Sequence, residues 1–200
     1  MDVVTFGEAL GLLTADTVGP LRFANSLVLG FGGAESNLAI GVVRLGDTAA
    51  WMGRVGDDEF GRMILAGLRG EHVDVTAATV DPGVPTALMI KERRTTRDRR
   101  VTYYRRDLAG SRLHPEHLDL AAVRTARVLH VSAITPGLSA SAGKAVEAAV
   151  EEARTAGVTV SVDLNHRAAV WSAEDAAPVM RELARRADVV LANDAEAAMV

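Results

Sequence analysis

Four short stretches carry side chains suited to a charged or hydroxylated small molecule. Asp163-Leu164-Asn165-His166-Arg167 follows the β-branched run Val158-Thr159-Val160-Ser161-Val162. In open parallel sheets the carboxyl ends of strands line the ligand crevice, so Asn165 and Arg167 are placed to reach a ligand. The guanidinium of Arg167 suits phosphate or carboxylate, while His166 is expected to point away in a structural role. Asn193-Asp194-Ala195-Glu196 follows the next apolar run in the same way, and helix capping by Asn193 or Asp194 is the competing reading. In Tyr103-Tyr104-Arg105-Arg106, strand alternation puts Tyr103 and Arg105 on one face and Tyr104 and Arg106 on the other. A phenol beside a guanidinium suits a polyol bearing a carboxylate; a lid strand with one wet face is the alternative. Finally, Gly30-Phe31-Gly32-Gly33-Ala34-Glu35-Ser36-Asn37 crowds glycines at the start of a helical pattern.

That glycine loop fails both common phosphate patterns. A dinucleotide fingerprint needs Gly-x-Gly-x-x-Gly, and Glu35 stands where the third glycine belongs. A P-loop needs Gly-Lys-Ser/Thr. The nearest match, Gly137 to Gly143-Lys144, is one residue too long and has Ala145 where the magnesium-binding hydroxyl belongs. His114-Pro115-Glu116-His117 lacks the His-Glu-x-x-His spacing of a metal site, and Pro115 suits a helix's first turn. The mixed charges from Lys91 to Arg100 read as a solvated hairpin tip, which could also attract an anion.

Positioning these groups requires an α/β frame. Val3-Val4-Thr5-Phe6 reads as a buried strand, 34–45 as a helix stopped by Gly46, and 48–55 as a strand. Asp57-Asp58-Glu59 places acids at the start of a helix bearing Phe60, Met63, Ile64 and Leu68 on one face. Residues 84–92 and 100–106 read as two strands around a charged turn. Beyond them come a helix at 115–126, a strand at 128–131, an Ala-rich helix at 139–156, a strand at 158–162, a helix at 173–186, a strand at 189–191 and a helix from 194. Such alternation predicts a mainly parallel sheet with helices on both faces, and the central strands form a small β lid. A net charge of −4 argues against a general nucleic-acid binder, and no apolar run is long enough to span a membrane. The absence of cysteine fits a cytoplasmic setting, and the N-terminus has no basic segment of a secretion signal.

Together these pieces resemble the ribokinase-like (PfkB) sugar kinase family along essentially the whole chain. Gly32-Gly33-Ala34-Glu35-Ser36-Asn37, Leu45-Gly46 and Gly53-Arg54-Val55-Gly56-Asp57-Asp58-Glu59-Phe60-Gly61 are similar to its first signature. Asn193-x-x-Glu196 is similar to its Asn-x-x-Glu motif. Within the family the 2-keto-3-deoxygluconate kinase branch is most similar. The pointers are Gly-Gly-Ala-Glu-x-Asn at 32–37, Tyr-Tyr-Arg at 103–105, Ala-Gly-Ser at 109–111, Ser-Ala-Ile-Thr-Pro at 132–136 and Asn165-x-Arg167-x-x-x-Trp171.

The resemblance implies a ribokinase-like α/β domain with lid strands from about 10–30 and 84–106. It also implies an ATP- and Mg2+-dependent kinase acting on a sugar acid. Gly33, Ala34, Glu35, Ser36 and Asn37 would hold the sugar acid, with Tyr103, Tyr104 and Arg105 from the lid and Ile134 as a wall. Arg167 would lie between substrate and transferred phosphoryl group. Asn165, Asn193 and Glu196 would sit on the ATP side, Glu196 reaching the metal through water. Met89 stands where this branch can carry a tyrosine, so one sugar contact would be lost. The family's second signature, Gly-Ala-Gly-Asp, whose Asp is the base, does not occur in these residues. The expectation is an N-terminal part of a kinase that does not turn over by itself. A sister kinase for fructose or ribose, and a non-catalytic sugar-acid binding protein, remain alternatives. Lid strands of this family often pair between subunits, so the resemblance also implies a homo-oligomer.

Overall fold

Short β-branched runs alternate with helices whose apolar residues recur at three- and four-residue spacing, and this alternation sets the frame. The computed structural model describes residues 1–95 and 99–200. In chain order the elements are β1 Val3–Phe6, β2 Leu10–Val18, β3 Leu27–Gly32, α1 Ala34–Arg44, β4 Ala49–Met52, β5 Arg54–Gly56, α2 Glu59–Gly70, β6 Thr79–Asp81, β7 Leu88–Arg93 and β8 Arg99–Tyr104. There follow α3 Leu120–Thr125, β9 Val128–Ser132, α4 Ala140–Thr155, β10 Thr159–Asp163, α5 Ala173–Arg186, β11 Val189–Leu191 and α6 Asp194–Ala197.

The body sheet runs β11-β10-β9-β1-β4, and every pairing in it is parallel. One face packs Val4, Phe6, Leu129, Val131, Val160 and Val162 against α4 and α5. Helix α4 presents Ala142, Ala145, Val146, Ala149, Val150 and Ala153, all buried. This largely alanine stripe lets the helix sit close on the valine-rich strands. The opposite face, around fully buried Trp51, is covered by Ala39 of α1 and by Ile64, Leu65 and Leu68 of α2. Thus the helices cover both faces, as the alternation predicts.

The lid is a separate four-stranded sheet of order β3-β2-β7-β8. Strand β2 pairs antiparallel with β3 and parallel with β7, and β7 pairs antiparallel with β8. The charged turn expected between the last two strands includes residues 96–98, which lie outside the described residues.

Two expected elements are divided. The strand expected at 48–55 breaks at Gly53, where a Cβ would come 2.2 Å from the Trp51 ring and 2.6 Å from the Gly7 carbonyl. The helix expected at 115–126 is a single tight turn at Pro115–His117 followed by α3, which Asp119 caps through the Ala122 N–H.

The acid-rich stretch before α2 is a junction. Asp58 caps the helix by accepting from Gly61 N at 2.8 Å and also accepts from Thr86 N at 2.7 Å, where the chain enters the lid. The Thr86 hydroxyl donates to Asp58 and accepts from Gly56 N. A Cβ on Gly61 would lie 2.2 Å from the Gly56 carbonyl, so glycine is required by close backbone approach.

Candidate active site

The chain lays β4 on one side of β1 and β9 on the other, so the strand order reverses beside β1. Parallel sheets bind ligands outside the carboxyl ends of strands at such a reversal. A cleft of about 570 Å³ opens there. Gly33, Ala34, Glu35 and Asn37 line it from the start of α1, Tyr103 and Arg105 from the lid, Ile134 from beyond β9, and Asn165 and Arg167 from beyond β10. Nine residues expected from sequence therefore meet in one cavity.

The helix start is held close by backbone packing. Gly33 is extended, and a Cβ there would come 2.4 Å from the Glu8 carbonyl oxygen. The glycine serves close approach to the strand junction, and no side chain could fit. Ser36 departs from expectation: it is 0% exposed, its hydroxyl donates back to the Gly33 carbonyl at 3.2 Å, and it does not line the cleft. One helical position later, Asn37 is exposed at the cleft. Glu35 is buried beneath the loop, and the Thr135 hydroxyl donates to its Oε1.

On the lid, alternation holds. Tyr103 and Arg105 reach the cleft, whereas Tyr104 is 56% exposed and, with Arg106, lines only a neighbouring hollow that Tyr103 and Arg105 also border. Tyr104 is thus set apart from the cleft by the period of two. Met89 lines the cleft, where its apolar side chain offers no hydroxyl. The Arg105 Nη2 forms an ion pair with Glu8 Oε2 at 2.5 Å. Burial pushes the Glu8 carboxyl up to about 7 against the pull of Arg105. Burial also raises Glu35 to about 7, with the charge of Glu8 adding to the effect. Glu8 stands two residues beyond the end of β1, as Asn165 does beyond β10, so the strand-end rule that pointed to Asn165 could have found it too. His130, on the cleft floor, meets the Ser161 hydroxyl at 3.1 Å and is held neutral by burial, which lowers it to about 4.

Beyond β10, Asn165 adopts φ +36°, a left-handed conformation that asparagine tolerates better than most residues. The half-buried His166 turns to the Trp171 carbonyl at 3.3 Å, the structural role expected of it. Trp171 packs on the turn at Thr135–Gly137, where a Gly137 Cβ would meet its ring at 2.8 Å, and so ties the Arg167 loop to the body. Asn193 and Glu196 cap α6 reciprocally: Glu196 N donates to Asn193 Oδ1 at 2.9 Å and Asn193 N to Glu196 Oε2 at 3.0 Å. They stand outside the cleft lining. Glu196 is nonetheless near enough to Asp163 that its charge adds to the burial which raises the Asp163 carboxyl. Two oxygen donors of like charge suit Mg2+, which keeps most of its waters and takes one or two carboxylates besides phosphate oxygens. Among the described residues no three metal-ligating side chains cluster.

A lidded crevice at the switch point of a parallel α/β sheet, lined by backbone at a helix start, amides, a phenol and two guanidinium groups, has the chemistry to suit a small polar anion or polyol. The profile of the pfkB family of carbohydrate kinases matches residues 1–200, and the chain belongs to that family. It is 39% identical to the 2-dehydro-3-deoxygluconokinase of Thermoproteus tenax over 86% of this chain and 52% of that protein. It is 36% identical to probable fructokinase-2 of Arabidopsis thaliana over 97% of this chain and 59% of that protein. The crystal structure of 2-dehydro-3-deoxygluconokinase from Thermotoga maritima superposes with a TM-score of 0.94 at 31% identity, covering all of this chain and 62% of that one. The chain thus spans about half to three-fifths of the length of these relatives.

Proposed function

We propose that the protein is an ATP-dependent kinase that phosphorylates the terminal hydroxyl of 2-keto-3-deoxygluconate, which is the 2-dehydro-3-deoxygluconate of the relatives' names. The observation that carries this reading is the convergence of Tyr103 and Arg105 from the lid on the cleft that Asn37 and Arg167 enter from the body. A guanidinium aimed across a polyol site favours a carboxylate-bearing sugar. The likeness to the Thermoproteus enzyme supports the same substrate.

In this reading the backbone at Gly33 and Ala34 lets the sugar lie close, and the Asn37 amide holds its hydroxyls. Tyr103 and Arg105 close over the acid end, and Ile134 forms the apolar wall. Arg167 neutralises charge where the sugar hydroxyl meets the phosphoryl group, the main protein contribution in such transfers. Asn165, Asn193 and Glu196 would face the nucleotide, and Asp163 and Glu196 would be the carboxylates to hold magnesium through water. When bound, magnesium–ATP supplies the phosphoryl group and offsets its charge. No Gly-Ala-Gly-Asp sequence, which would carry the base that orients the sugar hydroxyl, occurs in these 200 residues.

A fructose kinase is the second reading. Arg105 is already paired with Glu8, which reduces the charge it presents, and the similarity to the fructokinase extends over more of the chain. Turnover of the keto-deoxy acid, fructose and ribose by the full-length enzyme decides between them. A higher kcat/KM on fructose or ribose removes the acid assignment.

A further inference from the structure

The chain crosses between body and lid at 7–9, at 33, at 82–87 and at 105–108, and ionisable side chains stand at or just past three of these crossings. Glu8 lies between β1 and β2, Glu35 opens α1 just past β3, and Arg105 follows β8 on the way back to the body. They converge in the interior. The Glu8 side chain is 1% exposed and the Arg105 side chain 13%, with Nη2 and Oε2 2.5 Å apart. Glycines make the room: a Cβ on Gly110 would come 2.4 Å from Glu8 Cγ, and one on Gly7 would come 2.4 Å from Glu35 Cδ. The Gly110 backbone thus packs directly against the Glu8 side chain, and the Gly7 backbone against that of Glu35. The Arg105 guanidinium also lies 5.2 Å from the centroid of the Tyr103 ring. It is fixed by a carboxylate at one amino group and by an aromatic face, and it lines the cleft. A guanidinium has five N–H donors, so a pairing at Nη2 leaves others for a ligand.

We propose that Glu8 is a positioning residue for substrate selection, holding the Arg105 guanidinium where it meets the carboxylate of a sugar acid. This rests on the sugar-acid reading above. A free arginine at the end of a lid strand samples many rotamers, and ordering it on binding costs affinity. The buried anchor removes that cost before the substrate arrives. Because Glu8 acts through Arg105, its influence is confined to ligands that use Arg105. A neutral sugar, which has no carboxylate for the guanidinium, is unaffected.

The test compares Glu8→Gln, Arg105→Gln and the double variant in the full-length enzyme, with 2-keto-3-deoxygluconate and fructose as substrates. Glu8→Gln keeps the volume and removes the charge. It is expected to raise the KM for the acid roughly tenfold, the weight of one hydrogen bond to a charged group. The KM for ATP and kcat/KM for fructose stay within about twofold, and on top of Arg105→Gln the change adds less than about twofold. An unchanged acid KM in folded Glu8→Gln overturns the proposal. So does an equal loss on acid and neutral sugar, or full additivity of the two substitutions. Should Glu8→Gln not fold, Glu8→Asp is read the same way: a loss confined to the acid supports the role, and a loss shared with fructose removes it. If Arg105→Gln itself leaves the acid KM unchanged, the sugar-acid reading fails and this inference with it. If Arg105→Gln impairs the acid and Glu8→Gln does not, only the role of Glu8 fails.

Discussion

The Thr135 hydroxyl donates to Glu35 Oε1 at 3.1 Å, a buried contact between residues 100 apart in the chain. It ties the first turn of α1 to the turn after β9, so the helix start bearing Gly33 and Asn37 is fixed relative to the Ile134 wall. The carboxyl is nevertheless in an unfavourable place for charge. Burial raises it from 4.5 to about 7, with its own backbone N–H and Thr135 opposing, Glu8 adding, and Arg105 opposing.

A pH dependence of stability follows from that shift. The folded carboxyl binds its proton more tightly than the unfolded one, so its contribution is full below about 4.5 and is lost as pH rises through about 7. Glu8 and Arg105 are the other charged groups of the cluster, and Glu8 shifts in the same direction. Relative to Glu35→Gln, the wild type should lose on the order of 3 kcal/mol between pH 4.5 and pH 8. Urea unfolding of both proteins across that range measures it. A wild-type to variant difference that is flat with pH would mean that Glu35 ionises freely.

Asn37→Ala in the full-length enzyme should weaken sugar binding by roughly three- to tenfold, the cost of one or two hydrogen bonds. ATP binding should hardly change, because Asn37 lines the cleft from α1, whereas Asn193 and Glu196, the residues assigned to the nucleotide, do not line it. Calorimetric titration with each ligand separates the two. Equal weakening of both would remove Asn37 from the sugar side.

Two glycines within helices should respond oppositely to alanine. A Cβ on Gly41 of α1 meets nothing within 4 Å, so Gly41→Ala should stabilise this chain by about 0.5–1 kcal/mol. On Gly61 of α2 a Cβ would press on the Gly56 carbonyl at 2.2 Å and on the Thr86 hydroxyl at 3.0 Å. Gly61→Ala should destabilise by about 2 kcal/mol and loosen the lid junction at Thr86. Thermal melts give both signs.

The 200-residue chain by itself should show no ATP-dependent phosphorylation of 2-keto-3-deoxygluconate, because no Gly-Ala-Gly-Asp sequence is present to supply the base. A coupled assay with the acid at saturating concentration tests this. Measurable turnover would require a base among the cleft carboxylates, with Asp163 the first to substitute.

Much of this was legible in local sequence. Apolar period and capping residues are encoded over a few neighbouring positions, so α5 at Ala173–Arg186 and β11 at Val189–Leu191 coincide with their sequence readings. Strand alternation likewise separated Tyr103 and Arg105 from Tyr104. The glycine loop's failure at Glu35 to match a dinucleotide fingerprint was visible residue by residue. Where competing local preferences balance, as at Gly53 or in 115–126, the reading blurred. Gly53 breaks its strand because the Trp51 ring fills the space of a side chain, a fact of packing and not of propensity.

The sequence by itself determined the alternating α/β frame, the lid strands and the polar side chains at the strand ends, because each follows from short-range periodicity or a compact motif. Only the tertiary structure decided that Ser36 turns inward, that Asn193 and Glu196 cap one another beside Asp163, and that Glu8, Glu35 and Arg105 form one buried cluster. Those outcomes depend on which strand ends and lid crossings become neighbours. Burial and charge pairing act between segments far apart in the chain, and no local pattern records them.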